Sequence, residues 1–519
     1  MNRKILFISL ALCLLLVALS QIAIAQSEDA ACEALKDLDL PGLTITAVEA
    51  VDPTSVRPSG VVVHGVWKSP DSAFGSATVP VPFCRVAGLV APAINFEVWM
   101  PLPDTWNGKL YGVGNGGLSG GIKYGDMAAV LTQGYATVST DSGHQSESLR
   151  EVDWMEDRPD LWVDFGFRAV HESTRYAKKI MEAYYGQGPE YSYFISCSGG
   201  GQQALASAQK YPADYDGIVA MAPMADPTRC WPKELYAWYL TSRGPGYDIT
   251  DKLEMINTAA IAACDADDGA EDGLIGNALT CDFDPASLLC AGDDAPDCLT
   301  AEEVDTVQKV YFGLPDPTTG EMWFPGALPG SELGWGGHLA NPFSMAQGYF
   351  RWMMFDDPDW DPASFDFEDP EDFATLIDGD ARYGPILNAY DPDLTAYNEL
   401  GGKLILWHGL GDMGVSTGGT INYYNSVVEQ VGSEEEAQEF VRLFLAPGVG
   451  HCGGGPGADS WDALGALEAW VEDGVAPDQL LATNKGSGIT RPLCPYPQVA
   501  MYSGSGSTDD AENWSCVAP

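Results

Sequence analysis

Basic residues are scarce in this chain: 26 Lys plus Arg stand against 74 Asp plus Glu in 519 residues, a formal net charge of −48. A surface of that sign repels polyanions, so binding by phosphate neutralisation is disfavoured and nucleic acid is not an expected partner. The same surplus keeps a protein hydrated and is compatible with a salty medium. Histidine is rare, with six residues, which leaves few candidates for proton transfer. No cysteine pair has CxxC spacing and no Cys/His cluster has zinc spacing. After the N-terminal stretch, no apolar run approaches the roughly 18 residues that span a bilayer. Core material abounds instead: 45% of residues are hydrophobic and 11% aromatic, with 58 Gly and 35 Pro. That balance excludes a disordered acidic chain and a single small domain.

The chain opens with Met1, Asn2, Arg3 and Lys4, continues as an apolar run from Ile5 to Leu19, and reaches the small-residue site Ala23, Ile24, Ala25. This is the pattern of a secretory signal peptide over residues 1–25, with the mature chain starting near Gln26 in a secreted or periplasmic setting. Its apolar core is too short to favour a spanning helix, so no membrane association is expected after cleavage. Cys13 sits inside that core behind the bulky Leu12, which argues against lipid attachment. The remaining cysteines are Cys32, Cys84, Cys197, Cys230, Cys264, Cys281, Cys290, Cys298, Cys452, Cys494 and Cys516. Outside the cytosol they are expected to form bridges. Their odd number implies a free thiol, and Cys230 has no local mate.

Apolar, β-branched runs followed by helical stretches recur at 92–100, 109–113, 134–139 and 191–196, and the span Phe167 to Tyr185 has helical spacing. Strands alternating with helices imply an α/β fold with a mostly parallel sheet. From about 225 to 398 the strand signals vanish, Pro, Gly, Asp and Trp rise, and four cysteines cluster between 264 and 298. This reads as a large inserted lid domain. The acidic stretch Asp356 to Asp380 reads as solvated lid surface. Sheet signals return at Lys403 to Trp407 and Val441 to Leu445, and Ala458 to Val471 is predicted as the last helix. The expected organisation is a core of residues 30–224 and 399–519 with a lid at 225–398.

The segment Tyr193 to Leu205 reads as a strand, a tight turn centred on Ser198 and a helix. A nucleophile elbow needs small residues two positions either side of the serine, because strand and helix crowd together there. Ser196 and Gly200 meet that need. A phosphate cradle is the other use of a glycine-rich turn, but no Lys follows and GxGxxG spacing is absent. A serine hydroxyl needs a base, usually a histidine oriented by a carboxylate. Asp412 follows the strand at 403–407 and His451 follows the strand at 441–445. Chain order is then Ser198, Asp412, His451, the order of α/β-hydrolases. Cys197 precedes the serine and Cys452 follows the histidine. A hydroxyl–imidazole bond of about 3 Å would bring their Cα atoms within the roughly 4.4–6.8 Å that a disulfide spans.

These residues carry a resemblance. Cys197-Ser198, Asp412 and His451-Cys452 are similar to the Cys-Ser, Asp, His-Cys hallmark of the tannase and feruloyl esterase family, which also includes the hydrolase of mono(2-hydroxyethyl) terephthalate. Trp106 to Gly108, Gly112 to Gly117 and Thr140 to His144 extend the likeness over nearly the whole mature chain. Ser196 stands where the family commonly has Gly, and Gln202 where it commonly has Arg. The resemblance implies an α/β-hydrolase core, a serine esterase acting on gallate, ferulate or terephthalate monoesters, and a structural Ca2+ in the lid with no organic cofactor.

Acyl transfer needs backbone N–H donors at the developing oxyanion. Gly199 supplies one by position, and the resemblance points to Gly116 or Gly117 for another. The loop Cys264 to Ile275 concentrates carboxylates around two glycines, the oxygen-rich setting a hard cation takes, yet it lacks the final Glu of an EF-hand. The family's calcium site would assign side-chain ligands to Asp265, Asp268 and Asp272, and carbonyl ligands to Ala270 and Leu274. By similarity the other bridges would be Cys32 to Cys84, Cys264 to Cys281, Cys290 to Cys298 and Cys494 to Cys516, leaving Cys230 free. Two other readings stay open on sequence: a peptidase or esterase for non-aromatic acyl groups, and a non-catalytic, calcium-stabilised extracellular binding protein.

Overall fold

The computed structural model describes residues 28–52, 61–64, 76–146 and 148–518. The expected signal peptide, with Cys13, lies outside the described residues. The chain divides into two compact units. One comprises Met1–Val113, Gly121–His144 and Glu172–Ser192; the other comprises Gly114–Gly120, Gln145–His171 and Tyr193–Pro519.

The first unit holds strands β1 (Leu43–Val51), β2 (Phe83–Val90), β3 (Ile94–Pro101), β4 (Lys109–Val113) and β5 (Ala136–Thr140), in the order β1-β2-β3-β5-β4. The first three pairings are antiparallel and the β4/β5 pairing is parallel. Every residue of β3 is buried, the polar Asn95 and Glu97 included. Trp99 of β3 packs with Phe83, Val113 and the Tyr124, Met127 and Leu131 face of the helix Tyr124–Leu131. Cys32 and Cys84 are bridged in this unit.

Glu97, wholly buried in β3, takes four hydrogen bonds: two from the Arg85 guanidinium at 2.8 and 2.7 Å, one from the Trp99 indole at 2.7 Å and one from the Tyr124 hydroxyl at 2.7 Å. The donors compensate the carboxylate for lost water, and Arg85 is itself almost fully buried.

The second unit holds β6 (Tyr191–Cys197, from Tyr193 on), β7 (Gly217–Met221), β8 (Lys403–Gly409) and β9 (Val441–Ala446), all parallel and in sequence order. Ile218, Leu404, Leu406, Val441 and Leu443 form its core with Ala204 and Leu205 of the helix Gly199–Lys210 and Tyr423, Tyr424 and Val427 of the helix Thr417–Val431. Parallel strands put their carboxyl ends on one edge, and the turns leaving β6, β8 and β9 carry Ser198, Asp412 and His451.

Residues between β7 and β8 add no strand to that sheet; Gly313–Pro315 and Met322–Pro325 pair only with each other. The stretch Asp356 to Asp380 is not solvated throughout, contrary to its acidic composition. Trp360, Phe365, Phe367 and Phe373 are buried, and Phe350 packs on Trp360 and Phe365 with ring centroids 4.8 and 5.2 Å apart. Alternation explains this, since Asp366 and Glu368 face solvent between the buried rings. The last helix runs Ala463–Asp473 rather than from Ala458, because the Asp462 carboxylate caps its start by accepting the Gly465 N–H at 3.0 Å.

Replacing Glu97 by Ala leaves the Arg85 charge buried without its carboxylate and is expected to cost roughly 3–5 kcal/mol in urea unfolding. A loss below about 0.5 kcal/mol would show that the cluster is not the anchor of this unit.

Candidate active site

Ser198 occupies the turn between β6 and the helix Gly199–Lys210 with φ 65° and ψ −123°, a conformation that costs a non-glycine residue about 1–3 kcal/mol. The turn is held open by its own backbone: the Ser198 N–H donates to Met221 at 2.9 Å, and the Ser198 carbonyl accepts from Met224 at 3.1 Å. Only glycine fits two residues on. A Cβ on Gly200 would lie 1.9 Å from the Ser196 hydroxyl and 2.4 Å from the Asn115 carbonyl, so Ser196 is accommodated because position 200 has no side chain.

The Ser198 hydroxyl donates to His451 Nε2 at 2.8 Å, and His451 Nδ1 donates to Asp412 Oδ2 at 2.6 Å. The structure therefore brings together three residues separated by up to 253 positions. The His451 side chain is 40% exposed whereas Asp412 is buried. Burial opposes the charge on Asp412, but His451 and His408 beside it prevail and hold the carboxyl well below the usual carboxylate range. Burial likewise opposes an imidazolium at His451, yet the Asp412 charge and hydrogen bond hold it above the ordinary histidine value.

His408 was not singled out by sequence. It is completely buried at the end of β8, and its Nε2 donates to Asp412 Oδ2 and to the Val415 carbonyl, both at 3.0 Å. Its Nδ1 accepts from the Thr420 hydroxyl at 2.8 Å, which fixes the tautomer. The Val415 N–H donates to Asp412 Oδ1 at 3.0 Å, so both oxygens of the acid are bonded. Spacing of four residues from Asp412 is the one signal the sequence carried for His408.

Cys197 and Cys452 are bridged across 255 residues with their Cα atoms 5.9 Å apart. The bridge ties the residue before the hydroxyl to the residue after the imidazole. Cys264–Cys281, Cys290–Cys298 and Cys494–Cys516 are also bridged, and Cys230 is a buried free thiol.

The backbone of Gly116 and Gly117 lies against Gly199. A Cβ on Gly199 would come within 2.7 Å of the Gly117 carbonyl and 3.2 Å of its nitrogen. Gln203, on the helix after Ser198, fixes this loop by accepting the Asn115 N–H at 2.9 Å. Gln202 donates to the carbonyls of Gly166 and Leu387 at 2.8 and 2.9 Å.

The acidic loop is tightly self-bonded. Asp265 accepts from the N–H groups of Asp272 and Gly273, Asp268 from that of Ala270, and Asp272 from that of Leu274. Arg491 reaches Asp272 at 2.7 Å. Burial pushes the Asp268 carboxyl up to about 6, with the charges of Asp272 and Asp265 adding to it. Among the described residues no three acidic, histidine or cysteine side chains already converge at coordinating distance.

Parallel strands, a strained serine between strand and helix, and an acid and an imidazole on later strand ends define an α/β-hydrolase. The model of the family described as "Tannase and feruloyl esterase" matches residues 77–517, and the chain belongs to that family of carboxylic ester hydrolases. An uncharacterized esterase of Xanthomonas campestris pv. campestris is 34% identical over 97% of this chain and 94% of its own length. Feruloyl esterase C of Talaromyces stipitatus is 31% identical over 94% of each chain. The crystal structure of feruloyl esterase B from Aspergillus oryzae superposes with a TM-score of 0.86 at 28% identity, covering 94% of this chain and all of that one.

Replacing both Cys197 and Cys452 by Ser is expected to lower stability by roughly 2–5 kcal/mol. Looser registry of hydroxyl and imidazole should also lower ester hydrolysis by about tenfold or more. Unchanged melting temperature and rate would show the bridge to be dispensable.

Proposed function

We propose that this protein is a secreted serine esterase that hydrolyses carboxylic esters of aromatic acids, of the gallate, ferulate or terephthalate monoester type, through an acyl-enzyme on Ser198. The observation that carries this reading is the continuous hydrogen-bonded chain from the Ser198 hydroxyl through His451 to Asp412. Ser198 attacks the ester carbonyl while His451 Nε2 takes its proton. Asp412 holds the imidazole in the tautomer that leaves Nε2 free to accept, and stabilises the imidazolium that forms. His451 then returns the proton to the leaving alcohol, and water hydrolyses the acyl-enzyme by the same steps in reverse. Gly199, at the positive end of its helix, and Gly116 or Gly117 supply the oxyanion donors.

The aromatic acyl preference rests on the named feruloyl esterase relatives. We assign the catalytic core to residues 30–224 and 399–519 and the lid to 225–398. Export is supported by five disulfides, and among the described residues no helix is long and apolar enough to cross a membrane.

The loop of Asp265, Asp268 and Asp272, with the carbonyls of Ala270 and Leu274, is assigned to a structural Ca2+. Burial pushes the Asp268 and Asp272 carboxyls up, with neighbouring carboxylate charges adding to it, the kind of oxygen-rich setting a hard cation offsets. A chelator should lower the melting temperature by several degrees, with Ca2+ restoring it; an unchanged melting curve contradicts the assignment.

Hydrolysis of methyl gallate, methyl ferulate and the terephthalate monoester, measured side by side, tests the reading. At least one should turn over, Ser198→Ala should abolish it, and Asp412→Asn should lower kcat by about 10⁴. Because His451 must be neutral to accept a proton, the rate should fall toward acid with a midpoint above the ordinary histidine value of about 6.5. Turnover that survives in Ser198→Ala would overturn the assignment.

A further inference from the structure

The helix Pro227–Ser242 buries three groups that the hydrolytic steps do not use. Cys230, Lys233 and Glu234 fall at the i, i+3, i+4 spacing of one helical face, and none is more than 2% exposed. Two of them bond to successive residues of the loop after Asp412. The Lys233 ammonium donates to the Met413 carbonyl at 2.6 Å and to Glu234 at 2.8 Å, and the Cys230 thiol donates to the Gly414 carbonyl at 3.5 Å. The other oxygen of Glu234 takes a hydrogen bond from His338 Nδ1. The His338 ring lies over Gly414, where a Cβ would be 3.2 Å from His338 Cε1 and 3.7 Å from Asp412 Oδ1.

Burying an ammonium and a carboxylate is costly before their attraction is counted, and apolar side chains would pack a helix at lower cost. What apolar side chains cannot supply is direction. Lys233 grips the carbonyl one residue beyond the acid, and His338 covers the next residue.

We propose that Lys233, Glu234 and His338 form a clamp that positions the loop from Asp412 to Val415, and through Asp412 the His451 imidazole, for proton transfer. The proposal rests on the esterase reading above. These are positioning residues. The Lys233–Met413 bond holds the loop from the helix side, and the Val415–Asp412 bond closes it on itself. Asp412 Oδ2 is thereby aimed at His451, where a misplacement of about 1 Å costs on the order of 10²-fold in rate.

The clamp is also electrical. Lys233 faces Glu234, Cys230 and Asp412; His338 faces Glu234, Lys233 and Asp412; and the Glu234 charge favours the protonated form of His451. Neutralising Glu234 should therefore move the acid limb of the rate profile to lower pH.

The test is the double variant Lys233→Met/Glu234→Gln, which removes both charges so that neither is stranded. Expected are a kcat lower by roughly 10- to 100-fold with KM changed less than about twofold. Glu234→Gln alone keeps the side-chain size, should shift the acid midpoint down, and keeps the clamp testable if the double variant does not fold. Fluorophosphonate labelling of Ser198 separates the two claims. Wild type that takes no label overturns the esterase reading and the clamp with it. Wild type that labels, beside variants with wild-type kcat and midpoint, overturns the clamp alone.

Discussion

The hydrogen bond from His451 to Asp412 is made to a carboxylate with no access to water, and the surrounding structure is arranged to keep that carboxylate charged. Isolated in a protein interior it would take up a proton and cease to orient the imidazole. Two imidazole N–H groups share one of its oxygens and the Val415 N–H takes the other. His408 can serve only because Thr420 fixes its tautomer. The site therefore depends on polar groups satisfied one behind another, each with its own partner.

The parallel sheet supplies the remaining geometry. β6, β8 and β9 deliver hydroxyl, acid and imidazole to one edge, where side chains far apart in sequence meet. Turns alone would leave the imidazole loop free to drift, since His451 is the most exposed of the three and the loop after it is rich in glycine. The Cys197–Cys452 bridge removes that freedom next to the Ser198 hydroxyl and the His451 imidazole. Strain at Ser198 is tolerated because Met221, Met224 and the absence of a side chain at Gly200 hold the turn from several sides.

Much of the site was legible in sequence because its chemistry demands rare residue types in tight local contexts. Ser198 sits between small residues, His451 is one of six histidines, and adjacent cysteines flag both. The strands at 109–113, 191–197, 403–409 and 441–446 were readable as compact apolar runs. Gly217–Met221 escaped notice because five small or apolar residues carry no periodicity. The antiparallel strands Leu43–Val51 and Phe83–Val90 were missed, and with them the mixed character of the first unit's pairings. The pair Lys233-Glu234 was illegible for a different reason. Adjacent opposite charges on a helix ordinarily face water, and only tertiary packing reveals that these do not. The aromatics at 360–373 were hidden in the same way among exposed carboxylates.

The esterase reading requires that Ser198 becomes covalently acylated. Wild-type protein mixed with an activated aromatic ester, quenched in acid within the first turnover and analysed by peptide mass spectrometry, tests it directly. One added acyl group is expected on the peptide containing Ser198. An unmodified Ser198 peptide, during turnover or with the acyl group on another residue, would contradict it.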